Sequence, residues 1–216
     1  MHMDEYDELI TELVRGGHLI TGRIIEGFRT IRRKDFIPTE LEQNHAENRP
    51  LPIGYGQTIS QPLTVAFMLE LLQPREGDKI LEIGSGSGWQ TALLAHLVGP
   101  KGAVISMERI RPLGDFAQLH IDKYHFTNVR LIVGDGTRGY AREAPYDKII
   151  VAAAAEEIPA QLFKQLAGGG ILVMPVGNVE QDIVKMEKIS SKEFSKHIYP
   201  GFQFVPLVPG EWGKNL

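Results

Sequence analysis

The stretch that most restricts the fold is a short apolar run, Lys79-Ile80-Leu81-Glu82-Ile83, that passes directly into Gly84-Ser85-Gly86-Ser87-Gly88 and then into a helical pattern over residues 89–98. A buried strand that turns on glycines into a helix belongs to a βαβ unit, and so to a parallel sheet with right-handed crossovers. The alternation continues with apolar runs at 103–107, 129–133, 148–152 and 171–176, and with helical spacing at 112–124 and 159–166. This predicts an α/β, doubly wound sheet with helices on both faces. Two further strands, 182–189 and 202–208, have no strong helix between them, so the sheet is expected to be mostly parallel with an antiparallel C-terminal strand.

Upstream, residues 4–16 and 21–30 carry apolar side chains at helical spacing and predict N-terminal helices. Residues 38–60, punctuated by Pro50, Pro52, Gly54 and Gly56, read as a long irregular segment of the kind used for lids and binding loops. Ser60 reads as the cap of a helix with Pro62 near its start. No repeat or linker divides the chain, so one domain is expected over 1–216. It comprises N-terminal helices and a site segment (1–60), a ligand-binding core (61–177) and C-terminal strands (178–216).

Ligands of such sheets dock beyond the carboxyl ends of the strands. The glycine spacing here is G-x-G-x-G, with Trp89 where a dinucleotide fold places its third glycine. Acids stand near three strand ends: Glu82, Glu108, and Asp135 within Gly134-Asp135-Gly136. An acid after the second strand of such a fold typically accepts ribose hydroxyls. Three acids around one glycine turn suit an uncharged or cationic nucleoside better than a polyphosphate.

Composition removes other classes. With no cysteine, thiol nucleophiles, iron–sulfur clusters and thiolate zinc sites are excluded. The histidines form no H-x-x-x-H pair, so no metal site is expected. The net charge of −4 gives no general attraction for a phosphate backbone, so no nucleic-acid partner is expected. No 18-residue apolar run exists and the N-terminus is acidic, so the chain reads as cytoplasmic with no membrane partner.

The run Leu81-Glu82-Ile83-Gly84-Ser85-Gly86-Ser87-Gly88, with Glu108 downstream, resembles the cofactor site of class I S-adenosylmethionine-dependent methyltransferases, whose sheet is Rossmann-like. More specifically, residues 50–62, PLPIGYGQTISQP, are similar to a segment peculiar to the protein-L-isoaspartate O-methyltransferase family. Gly139-Tyr140, Ala144-Pro145-Tyr146-Asp147, Pro175-Val176-Gly177 and Phe204-Val205-Pro206-Leu207 also match, and the resemblance runs from about residue 35 to 212. It implies methyl transfer from S-adenosyl-L-methionine to the free α-carboxylate of L-isoaspartyl residues in damaged proteins and peptides, with a small-molecule methyltransferase as the alternative. By the same resemblance, Ser60 would be catalytic. Gln57, Thr58, Ile59, Glu82, Gly84, Ser85, Gly86, Glu108, Asp135 and Gly136 would hold the cofactor. Thr58, Ser60, Val205, Pro206 and Leu207 would bind substrate. Leu63, Ala152 and Val208 depart from common family residues on the substrate side.

The chemistry asks little of the side chains. An α-carboxyl group has a pKa of roughly 3.5 and is already ionised at neutral pH, so no general base is needed. What remains is alignment of the carboxylate with the methyl group.

Overall fold

The computed structural model describes residues 4–190 and 193–213. Seven strands form the main sheet: β3 (Lys79–Ile83), β4 (Ala103–Glu108), β5 (Val129–Val133), β6 (Tyr146–Val151), β7 (Leu166–Gly177), β8 (Gln181–Lys188) and β9 (Phe194–Phe202). Their order is β5-β4-β3-β6-β7-β8-β9. The β3–β4, β4–β5, β3–β6 and β6–β7 pairs are parallel, whereas β8 is antiparallel to both β7 and β9. The chain leaves β3 toward β4 and leaves β6 toward β7, in opposite directions, so a crevice opens beyond the adjacent ends of β3 and β6.

The pleat sorts the core into two layers. Ile80, Val104, Ile150 and Val173 face α3 (Pro62–Leu72), α4 (Trp89–Val98) and α5 (Arg111–Asp122), over which α1 (Glu5–Arg15) and α2 (Gly22–Thr30) pack. Leu81, Ile105, Ile149 and Leu172 face the other way, where the only α-helix among the described residues is the short α6 (Ala160–Gln165). The two faces expected to carry helices are therefore unequal. On the thicker side α4 is sandwiched between sheet and outer helices, and all its residues except His96 are buried. Trp89 explains the missing third glycine: its ring meets Phe28 edge-on at 5.6 Å, and its Nε1–H donates to the Ile31 carbonyl at 3.3 Å. The helix start is thus bolted to the N-terminal layer.

Three sequence expectations change. Residues 38–60 are not structureless: they hold a 3₁₀ turn (Thr39–Asn44) and a hairpin of β1 (Leu51–Gly54) and β2 (Gln57–Ile59). Gly54 pairs with Gln57, leaving Tyr55 and Gly56 as a two-residue turn with φ of 55° and 70°. Positive φ at both central positions gives the twist that antiparallel strands need. The cap of α3 is Gln61, not Ser60. The last strand ends at Phe202, so residues 203–208 lie outside it; Gly201, at φ 92°, and Pro206, which has no N–H to give, bound that segment. Val205 to Leu207 instead bridge Ala154, whose N–H donates to the Val205 carbonyl at 2.8 Å and whose carbonyl accepts from the Leu207 N–H at 2.7 Å. Among the described residues no helix is long and apolar enough to cross a membrane.

Candidate active site

The strand ends converge on one pocket. It is lined by Ile83 to Ser87 after β3, Met107 to Ile110 after β4, Gly134 and Gly136 after β5, and Ala152 and Ala153 after β6. The β2 segment Gln57 to Ser60 and the tail Val205 to Val208 complete the wall. The sequence therefore brings together Gln57, Thr58, Ile59, Ser60, Gly84, Ser85, Gly86, Glu108, Gly136, Val205, Pro206 and Leu207.

Glu108, the last residue of β4, is buried, and its two carboxylate oxygens accept from the Gly86 and Ile110 amides at 2.9 Å each. Each oxygen keeps a lone pair for a ligand hydroxyl. Gly84 turns at φ 91°, a conformation that side chains resist, and its position faces the methyl of Ala152 across the pocket floor. The Ser85 hydroxyl is buried and has no hydrogen-bond partner among the described residues. Gly136 is a packing requirement, since a Cβ there would lie 2.4 Å from Ile83 Cγ2.

Two of the three strand-end acids do not reach the pocket. Glu82 is the penultimate residue of β3, so the pleat turns it toward α4. There it is fully buried and accepts from Gln90 Nε2 at 3.0 Å, Thr91 Oγ1 at 2.5 Å and Ser106 Oγ at 2.6 Å. These bonds tie β3 to α4 and β4 behind the glycine turn, and Glu82 is not among the residues lining the pocket. Asp135 caps the 3₁₀ turn Gly136–Arg138, accepting from the Thr137 amide at 2.9 Å and hydroxyl at 2.6 Å. Among the described residues Glu108 is the acid on the pocket lining, and Asp135 stands between the lining residues Gly134 and Gly136. Among the described residues Arg109 is the one cation on the lining, and its Nε donates to the Gly210 carbonyl at 3.2 Å.

Burial raises the Glu82 carboxyl above its ordinary range, outweighing its three hydrogen bonds. The folded chain then holds this proton across a pH window, above about 4.3, in which the unfolded chain has released it, so this contribution to stability falls as pH rises. Glu82→Gln removes it. Melting curves from pH 4.5 upward are expected to show the variant gaining on the parent as pH increases. Parallel curves would mean that Glu82 carries no raised pKa.

A second, open groove adjoins the first pocket and is lined by Pro50, Leu63, Glu180, Asp182, Phe202 and Phe204 among others. Thr58, Ser60, Ala152 and Val205 line both. Ser60 and Thr58 thus stand at the mouth where the pocket and the surface groove meet. The Ser60 carbonyl accepts from Arg33 at 3.1 Å. The ring of Tyr55 at the hairpin tip meets Trp212 edge-on at 5.4 Å, and the Trp212 amide donates to the Arg109 carbonyl at 3.0 Å. Sequence reasoning missed the groove wall at Val179 to Asp182, the turn from β7 into β8, whose polar Glu180-Gln181-Asp182 was the available signal. No histidine lines either cavity, and among the described residues no three His, Asp or Glu side chains are grouped to hold a metal ion.

The family model described as protein-L-isoaspartate(D-aspartate) O-methyltransferase (PCMT) matches residues 4–212. A protein-L-isoaspartate O-methyltransferase of Methanopyrus kandleri is 44% identical over 209 residues, covering 96% of this chain and 92% of the relative. A solved structure named protein-L-isoaspartate O-methyltransferase is 27% identical with a TM-score of 0.85, covering 93% of this chain and 65% of the other. A Plasmodium falciparum chain crystallised with S-adenosyl-L-homocysteine shares the fold at a TM-score of 0.84, with 23% identity and coverage of 95% and 99%.

Proposed function

Since the chain belongs to the protein-L-isoaspartate(D-aspartate) O-methyltransferase family, we propose that its pocket holds S-adenosyl-L-methionine and its groove presents an isoaspartyl α-carboxylate to it. The protein is a repair methyltransferase that moves a methyl group to L-isoaspartyl residues of damaged proteins and peptides. The observation that carries the assignment of the two cavities is their shared wall at Thr58, Ser60, Ala152 and Val205. A pocket for a small cofactor adjoins there a surface groove that a polypeptide can enter, which a small-molecule methyltransferase would not need.

When bound, S-adenosyl-L-methionine supplies an electrophilic methyl group on a positively charged sulfur. The residues present fit it. Glu108 has free lone pairs for the two ribose hydroxyls, Gly84 and Gly86 allow close approach, and the orphaned Ser85 hydroxyl awaits a polar partner. Met107 and Ile110 offer apolar surface to the base, with Gly136 at that end. On the other side, Ser60 and Thr58 orient the carboxylate, and Val205 to Leu207 hold the peptide backbone. The lack of a lining histidine matches a nucleophile that arrives deprotonated. We also propose action in the cytoplasm, which the cysteine-free composition supports, and no nucleic-acid partner, which the net charge of −4 supports.

Labelled S-adenosyl-L-methionine is expected to transfer its methyl group to an isoaspartyl peptide and not to the matching aspartyl peptide. Equal labelling of both, or labelling only of small carboxylic acids, would remove the repair function. Calorimetry should show binding of S-adenosyl-L-homocysteine and none of NAD.

A further inference from the structure

Arg33, the first residue of the 3₁₀ turn Arg33–Phe36, has no solvent exposure. Its four terminal N–H groups all go to main-chain carbonyls: Nη1 to His45 at 3.3 Å and Glu47 at 2.9 Å, Nη2 to Arg49 at 2.8 Å and Ser60 at 3.1 Å. Its Nε is buried without a partner. The guanidinium also lies over the Trp89 ring, 5.6 Å from the centroid, and Trp89 lines the cofactor pocket. None of its hydrogen bonds goes to a carboxylate. The Glu47 carboxylate acts on it only through space, being half exposed and paired with Arg49, and a buried cation whose hydrogen bonds all go to neutral carbonyls is costly unless a further anion draws on it.

We propose that Arg33 is a positioning residue for the substrate carboxylate, fixing Ser60 through its carbonyl and setting one positive charge behind the mouth shared by the two cavities. This rests on the isoaspartyl reading of those cavities. The fork geometry explains the residue type. One planar group joins residues 45–49 to the end of β2, so Ser60 cannot drift along the mouth, and a lysine could neither reach four carbonyls nor hold them in one plane. Its charge acts across a poorly screened interior, where an approaching carboxylate is favoured over a neutral group of the same shape. Ser60 touches the substrate; Arg33 acts through it.

Two variants separate this role from that of a loop clamp. Arg33→Gln is expected to lower kcat/KM toward an isoaspartyl peptide about tenfold or more, chiefly through KM, with the S-adenosyl-L-homocysteine Kd within about threefold of the parent. Arg33→Lys, which restores charge without the fork, should recover part of the KM. Variants that melt earlier yet keep the parent's kcat/KM per folded molecule would make Arg33 a clamp only. Parallel losses in cofactor and peptide binding would also overturn the proposal. Should neither variant fold, the parent still decides. With arginine labelled in ¹⁵N and S-adenosyl-L-homocysteine bound, the Arg33 guanidinium resonances should shift on adding an isoaspartyl peptide and stay in place with its isoasparaginyl amide. Identical spectra would refute the charge role. A parent enzyme that never methylates isoaspartyl peptide removes the underlying function, whereas an active parent indifferent to Arg33 removes this inference alone.

Discussion

Glu108→Ala is expected to raise the dissociation constant for S-adenosyl-L-methionine by about a hundredfold. A carboxylate accepting two ribose hydroxyls makes two charge-assisted bonds of roughly 1.5–3 kcal/mol each, and about 2.7 kcal/mol already corresponds to that factor. The same carboxylate accepts the Gly86 and Ile110 amides, so its loss also slackens the glycine turn beneath the ligand. Glu108→Gln keeps one acceptor oxygen and should lose less. Calorimetry with S-adenosyl-L-homocysteine on both variants, alongside melting curves, measures this. Affinity within about twofold of the parent in a folded Glu108→Ala protein would remove Glu108 from the ribose site.

Ser60→Ala is expected to leave cofactor affinity and melting temperature close to the parent and to lower kcat/KM for an isoaspartyl peptide about ten- to a hundredfold. A positioning hydrogen bond of roughly 1–3 kcal/mol sets that range. The stability half of the forecast comes from the structure. Gln61 is the cap of α3, and the anchored part of Ser60 is its carbonyl, which alanine retains. Single-turnover methylation and a thermal melt on one sample test both halves. Undiminished turnover would move the substrate anchor to Thr58 or to the β2 main chain.

The β3–glycine–α4 unit was legible because local and distant signals agree there. The run 79–83 is apolar on both sides of the pleat and the glycines stop it where the helix begins. The hairpin was not legible, since Pro52, Gly54 and Gly56 read as breaks although Tyr55-Gly56 is itself the turn that pairs Leu51 with Ile59. β9 was placed too late because it is an edge strand with little apolar alternation, whereas the more apolar 202–207 is bound by a bridge to Ala154. Within the site, Glu108 ends its strand and faces the crevice, while Glu82 sits one residue short of the end and faces α4. The difference is one of depth: the register sets Glu82 opposite Ser106, on the same side of the sheet as Glu108 but one repeat further in, and that register forms only in the folded sheet. Arg33 was not legible either: its four acceptors are spread over residues 45–60 and meet only in the folded chain.

The contrast between two aromatic contacts gives the protein an optical reporter of its own. Of its two tryptophans, Trp89 is 1% exposed and locked against Phe28, while Trp212 is 47% exposed and rests on the hairpin tip through Tyr55. Trp89 lines the pocket and reports on it from a buried position, whereas the emission that solvent quenchers can reach belongs to Trp212 and reports on the hairpin tip, with no label attached to the chain.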